Sequence, residues 1–186
     1  ARVPIQPYFS EHPGWAEQNP DYFWQSLCQA CQQLWSITDI PKAAIKGVAV
    51  TTQRGTVINL DENGQPLRPA IVWLDQRRTE GLHPVGGLWG LAFKLARVSE
   101  TVAYLQAEAE ANWIYTHQRE IWDRTHKLVL LSGYLNYRLT GRLADSAGSI
   151  VGYLPFDYKR QTWSSRRDWK WQAIAVALAN FPRAAP

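Results

Sequence analysis

The sequence predicts an α/β or α+β domain with one mixed sheet and flanking helices, and three observations carry that prediction. Short β-patterned runs come first, between residues 45 and 78. Stretches of helical period follow between residues 88 and 140, and one more strand-like run closes the pattern near residue 157. Strands, then helices, then a strand is the order of a layered domain in which helices cover a sheet.

Taken in order, Arg2 to Phe9 mixes apolar residues with two prolines and fits only an edge strand, where a missing donor is tolerated. Glu11 to Trp15 reads as a loop. Asn19-Pro20-Asp21 is a helix start, with a capping amide, proline at the first helical position and an acid in the first turn. The helix is expected to reach about Ile37 and to end before Pro41. Its apolar positions Phe23, Leu27, Cys31 and Leu34 recur at helical spacing, which puts Cys28 and Cys31 on or beside the buried stripe as packed, reduced thiols. A structural zinc site would need a second cysteine pair, and a thioredoxin-type motif would follow a strand.

The richest stretch is VAVTTQRGTVINLDENGQPLRPAIVWLDQRR, Val48 to Arg78. Val48 to Val50 reads as a short strand that stops at the polar corner Thr51 to Gly55. Thr56 to Leu60 reads as a second strand. Asp61-Glu62-Asn63-Gly64 is a reversal, because Asn and Gly tolerate positive φ. Ala70 to Trp73 returns as a third strand, and Trp73-Leu74-Asp75-Gln76-Arg77 delivers an aromatic face, a carboxylate and a guanidinium to one rim. That is the makeup of a site for a polar small molecule.

Beyond it, Gly81 to Gly90 reads as a loop and Leu88 to Ala96 as a short helix. Ser99 caps a longer helix in which Val102, Leu105, Ala109 and Trp113 face inward, while Glu100, Glu108 and Glu110 take the other face. A helical stretch from Glu120 to Thr125 precedes the apolar run Leu128 to Leu131. Ser132 then caps Gly133 to Leu139, which Gly141 closes in the left-handed conformation. Small residues from Asp145 lead to a last strand ending at Asp157.

Composition sets bounds. The 186 residues suit one domain. A net charge of +4 favours anionic partners only weakly. No run of about 18 apolar residues and no leader-like start occur, so a cytoplasmic protein with no membrane partner is expected. The chain does not begin with Met and is expected to start downstream of its translation start. His12, His83, His117 and His126 show no spacing of a metal site, so no metal ligands are assigned. The stretch YKRQTWSSRRDWKW interleaves cations with aromatics as single-strand binders do. Packing of Trp163, Trp169 and Trp171 on the domain explains it better, and no nucleic-acid partner is expected.

Three segments carry a family resemblance: GWAEQNPDYFWQSL, then GVAVTTQRGTVINLDENGQPLRPAIVWLDQR, then LSGYLNYRLTGRLADSAGS with YLPFD. Their kind, order and spacing, from roughly Gly14 to Trp171, resemble the amino-terminal domain of the FGGY carbohydrate kinases, which include glycerol, xylulose, ribulose and gluconate kinases. The resemblance implies a ribonuclease-H-like domain of the actin-like ATPase superfamily, and transfer of the γ-phosphoryl of Mg-ATP to a hydroxyl of a sugar or polyol. It implies ATP and Mg2+ as cofactors. It also implies that Gln53 and Arg54 bind acceptor hydroxyls, that Trp73 lines the carbon face and that Asp75 and Arg77 stand at the cleft rim.

Gly55 departs from the glutamate of glycerol kinases, which argues against glycerol, and Glu110 falls near a characteristic lysine. No DxGT motif precedes Ala1, and the second domain with its catalytic-base aspartate is not in the chain. The expectation is therefore a domain over residues 1–171 trimmed at its start, a tail over 172–186, no catalytic residue and no turnover by the chain alone. The competing expectation is a non-catalytic domain that binds sugar weakly or self-associates as a homo-oligomer.

Overall fold

The computed structural model describes residues 1–185. Its elements are β1 (Glu17–Gln18), α1 (Pro20–Ser36), β2 (Val57–Leu60), β3 (Ala70–Ile71), α2 (Gly87–Leu95), α3 (Ser99–Glu108), α4 (Glu110–His117), α5 (Arg119–Arg124), β4 (Lys127–Leu130), α6 (Leu131–Thr140), β5 (Ala144–Ser146), β6 (Phe156–Asp157), β7 (Thr162–Trp163), α7 (Lys170–Ala173) and β8 (Arg183–Ala185).

A four-stranded sheet in the order β1-β3-β2-β4 forms the middle layer, and every neighbour in it is antiparallel. The expected mixed sheet is thus corrected for this layer. Among the described residues, parallel pairing occurs between β5 and β8. The strand expected at Val48–Val50 does not form, and Val48 is 75% exposed. A strand needs a ladder on at least one side, and no strand lies beside this segment among the described residues. Arg2 to Phe9 likewise contributes only a single bridge, Phe9 to Glu17, rather than an edge strand.

The two faces of the sheet carry separate cores, as the period of two requires. Val57, Ile71, Leu128 and Leu130 join one cluster with Val102, Trp113 and Ile114 of the helical layer. Ile58, Leu60, Ala70 and Val129 join the other, with Tyr134 and Leu135 of α6 and Phe23, Trp24 and Leu27 of α1. The pairing of Val57 with Leu130 and Ile58 with Val129 keeps both alternations in step. Asn59 is wholly buried and donates from Nδ2 to Thr125 Oγ1 at 3.0 Å.

Local signals set several ends. Asn19 Oδ1 accepts from the Asp21 amide at 2.9 Å and starts α1. Asp21 in turn accepts from the Tyr134 hydroxyl and from Arg138, so the first turn of α1 is tied to α6. Gly64 holds φ +74° in the reversal after β2, where a Cβ would sit 2.2 Å from the Tyr137 hydroxyl oxygen. Gly141 ends α6 at φ +71°. Ser132 lies inside α6 rather than capping it, and its hydroxyl donates to Asp145 at 2.7 Å. The helix expected to run through Ala109 is broken there into α3 and α4.

Residues 172–185 are not a loose tail. Ala173, Ile174 and Phe181 are buried in the first core, and β8 pairs with β5. Trp163 stacks on Phe181 with ring centroids 4.3 Å apart. The expected boundary at Trp171 therefore falls inside the packed body. Cys28 is half-buried and Cys31 exposed, both as free thiols, so Cys31 lies off the buried stripe expected for it. No helix among the described residues is long and apolar enough to cross a membrane.

Candidate functional site

The pairing of Val57 with Ile71 brings two strand ends together. Arg54 lies three residues before Val57, and Trp73 lies two residues after Ile71. Gly55, at φ +81°, lies beside Trp73, and a Cβ there would stand in ordinary contact with Trp73 Cβ at 3.5 Å. Gln53 and Arg54 are exposed. Trp73 is 53% exposed, so its ring is a surface rather than a core group. Beside it opens a mainly apolar groove of about 690 Å³, lined by Gln53, Thr56, Trp73, Leu74, Phe23 and Leu27 among others. Arg54 does not line this groove. The Tyr158 hydroxyl donates to Ile150 O at 2.8 Å. Burial raises the Tyr158 pKa, and the Arg54 charge opposes that rise.

Asp75 and Arg77 do not stand at an open rim. Their side chains are 4% and 2% exposed. Asp75 accepts from Arg77 Nε at 2.7 Å, from Arg77 Nη2 at 2.6 Å, from the Arg77 amide at 2.9 Å and from the Ala16 amide at 2.6 Å. A carboxylate offers about four acceptor positions, so none is left for a ligand hydroxyl. Arg77 also reaches Glu17 at 2.9 Å, and Glu17 accepts from Arg68. The Arg77 guanidinium carbon lies 4.0 Å from the Trp15 ring centre and 4.5 Å from that of Trp113. Burial lowers the Arg68 pKa from the ordinary arginine value, against the raising effect of Glu17. These four charges fix the segment that carries Trp73.

A family model described as the FGGY family of carbohydrate kinases, N-terminal domain, matches residues 3–183. The chain belongs to this family. It is 26% identical over 156 residues to the xylulose kinase of Staphylococcus epidermidis, which covers 84% of this chain and 31% of the relative. It is 28% identical over 162 residues to the glycerol kinase of Thermococcus gammatolerans, covering 83% of this chain and 33% of the relative. The chain spans about a third of the length of the curated relatives it matches. The crystal structure of xylulose kinase from Rhodospirillum rubrum superposes with a TM-score of 0.73 at 20% identity, over 100% of this chain and 40% of that one. That likeness speaks for the fold, and together with the family match it supports an actin-like ATPase fold.

Sequence reasoning in this family missed Glu110. It was expected on a solvated helix face, yet it is half-buried in the first turn of α4 and accepts from the Tyr153 hydroxyl. Glu110 and Tyr153 line one small closed cavity together with Val57 and Ile150. Burial pushes the Glu110 pKa up to about 7, the Tyr153 hydroxyl opposes the rise, and the charges of Asp75 and Glu108 add to it. The available signal was its spacing: Glu110 and Trp113 are three apart and share a helix face.

Proposed function

We propose that the chain supplies the sugar-binding side of an ATP-dependent carbohydrate kinase that moves the γ-phosphoryl of Mg-ATP to a hydroxyl of a sugar or polyol. We further propose a ribonuclease-H-like arrangement for its domain. The observation that carries the reading is the exposed Arg54 and Trp73, set at two paired strand ends in a chain whose family match runs over residues 3–183.

In this reading the Arg54 guanidinium and the Gln53 amide donate to adjacent acceptor hydroxyls, and the Trp73 ring covers the carbon-bound face of the acceptor. Asp75 and Arg77 act from beneath, holding the Trp73 segment in place without touching the acceptor. Gly55 leaves the corner open where a longer side chain would project, which suits an acceptor larger than glycerol. Phosphoryl transfer also needs a metal-bound nucleotide and a base for the hydroxyl proton. Among the described residues no three His, Cys, Asp or Glu side chains are grouped to hold a metal ion. The share of the reaction proposed for this chain is recognition of the acceptor.

Calorimetry with a panel of ketoses and polyols tests the reading. Arg54→Ala is expected to weaken the binding of the best ligand by about tenfold, the worth of one charge-assisted hydrogen bond. Unchanged affinity would remove Arg54 from the site, and phosphorylation by the purified chain in a coupled assay would overturn the restriction to recognition.

One observation favours a second reading, self-association. Ile37, Ile40, Ile45 and Val48 are exposed along one continuous segment, and its backbone from residue 45 to 50 joins no strand. Such a segment is a template for pairing with another copy. Light scattering is expected to show mass rising with concentration in that case, and a concentration-independent monomer excludes it.

A further inference from the structure

Cys28 and Cys31 stand three residues apart on α1, and both are free thiols. Cys31 is exposed and Cys28 half-buried, so a reagent in solution reaches Cys31 first. A regular helix sets the Cα atoms of such a pair about 5 Å apart, inside the roughly 4.4–6.8 Å that a disulfide spans. Their Cβ atoms are about 5–6 Å apart, whereas a bridge needs roughly 3.5–4.5 Å. The turn must therefore tighten by about 1–2 Å before the sulfurs join.

α1 is free to give way at that place. Its contacts with the second core come from Phe23, Trp24 and Leu27, all before the pair. From Cys28 to Ser36 no residue is buried. The surroundings also suit an anionic reagent, because no acidic side chain occurs from Tyr22 to Thr38. Lys42 holds its Nζ 5.7 Å from the ring centre of Trp35, which stands one turn beyond Cys31.

We propose that Cys28 and Cys31 form a reversible oxidation site, closing into a disulfide across one turn of α1 by exchange with a low-molecular-weight disulfide such as glutathione disulfide. The inference goes beyond the sugar-binding reading and does not depend on it. The Cys31 thiolate attacks one sulfur of glutathione disulfide, whose S–S bond breaks and expels a glutathione thiolate. The Cys28 thiolate then attacks Cys31 Sγ of the mixed disulfide and expels the second glutathione. Two electrons pass from the cysteine pair to glutathione, and the two protons the cysteines give up end on the two glutathione thiolates. A bridge that tightens the helix is strained and therefore readily reduced, which makes the step reversible. Its cost falls on α1 beyond Leu27, where the helix has least to hold it.

The experiment is intact-mass spectrometry and thiol titration of the folded chain after incubation with glutathione disulfide at pH 8, followed by hydrogen exchange. The native chain is expected to lose two hydrogens and both titratable thiols without keeping an adduct, and dithiothreitol should restore them. Cys28→Ser should stop at a glutathione adduct on Cys31, and Cys31→Ser should react about tenfold more slowly, since its remaining thiol is half-buried. In the oxidised chain the amides of residues 32–36 should exchange at least about tenfold faster, while β2 and β4 keep their protection. If the folded chain keeps both thiols or stops at the adduct, while the same chain in urea forms the bridge, α1 holds the sulfurs apart and the inference falls. It falls as well if the two single variants react equally fast or if β2 and β4 lose protection with α1, because the bridge then forms only by unfolding the domain.

Discussion

Glu17→Gln is expected to destabilise the fold by about 3–5 kcal/mol, a large part of the roughly 5–15 kcal/mol that holds a domain together. Glu17 is buried on β1 and is the acid at salt-bridge distance for Arg68; it also accepts from Arg77 at 2.9 Å. With Asp75 the four side chains carry two charges of each sign, and all are covered. Neutralising Glu17 leaves two buried guanidinium groups facing one carboxylate that is already saturated. Among the described residues Arg68 Nε and Nη1 and Arg77 Nη1 have no hydrogen-bond partner even in the intact cluster, so none of those residues offers a second acceptor ready to take over. The Trp15 and Trp113 faces attract Arg77 but give Arg68 nothing. Urea unfolding followed by circular dichroism measures the loss. A change below about 1 kcal/mol would show that water reaches the cluster and that it behaves as a surface pair. The paired replacement Glu17→Met with Arg68→Met should recover much of the loss, because the cost lies in the unpaired charge.

What the sequence revealed and what it hid separate along one physical line, the range of the interaction. The start of α1 at Asn19-Pro20, the reversal at Asn63-Gly64 and the end of α6 at Gly141 were legible, since a capping amide or a positive φ is decided within a few residues. Strand β2 was legible because its short run of strand-forming residues ends at a strong turn signal. β1 was not: Glu17 and Gln18 are polar, and only Arg68 and Arg77, more than fifty residues away, make Glu17 a buried strand residue. Val48–Val50 failed in the opposite sense, since β-branched residues make a strand only beside a partner. The break at Ala109 was hidden because the apolar spacing runs through it unchanged.

The same line runs through the site. The placing of Arg54 and Trp73 at neighbouring strand ends could be read locally, whereas the 53% exposure of Trp73 could not, since a tryptophan after an apolar strand reads as core. The depth of Asp75 and Arg77 could not, because it is set by Glu17, Trp15 and Trp113 from three other segments. Glu110 was misread for the same reason. A carboxylate on an amphipathic helix reads as solvated, and only Tyr153, 43 residues later, covers it.

The second large effect is expected at Asn112, which holds the chain's last turns in place. Asn112 is 2% exposed on α4. Its Nδ2 donates to Gln106 O at 2.8 Å and to Ala173 O at 2.9 Å, and its Oδ1 accepts from the Ala175 amide at 2.6 Å. Asn112→Leu keeps the branched shape at a larger volume but strands two carbonyls and one amide in the core. Each such group costs about 1–3 kcal/mol, and relaxation makes the sum less than additive, so a loss of about 3–4 kcal/mol is expected. The loss should be uneven. Ala173 and Ala175 flank Ile174, and beyond them the chain is held by Phe181 against Trp163, by the Trp163 indole on Pro182 O, by Lys127 on Ala179 O and by the β5–β8 pair. Hydrogen exchange should therefore show residues 173–184 losing protection first, while β2 and β4, paired over four residues with a core on each face, keep theirs. Uniform loss across the chain would mean that these last residues and the sheet unfold as one cooperative unit, and that Asn112 stabilises the whole domain rather than this segment.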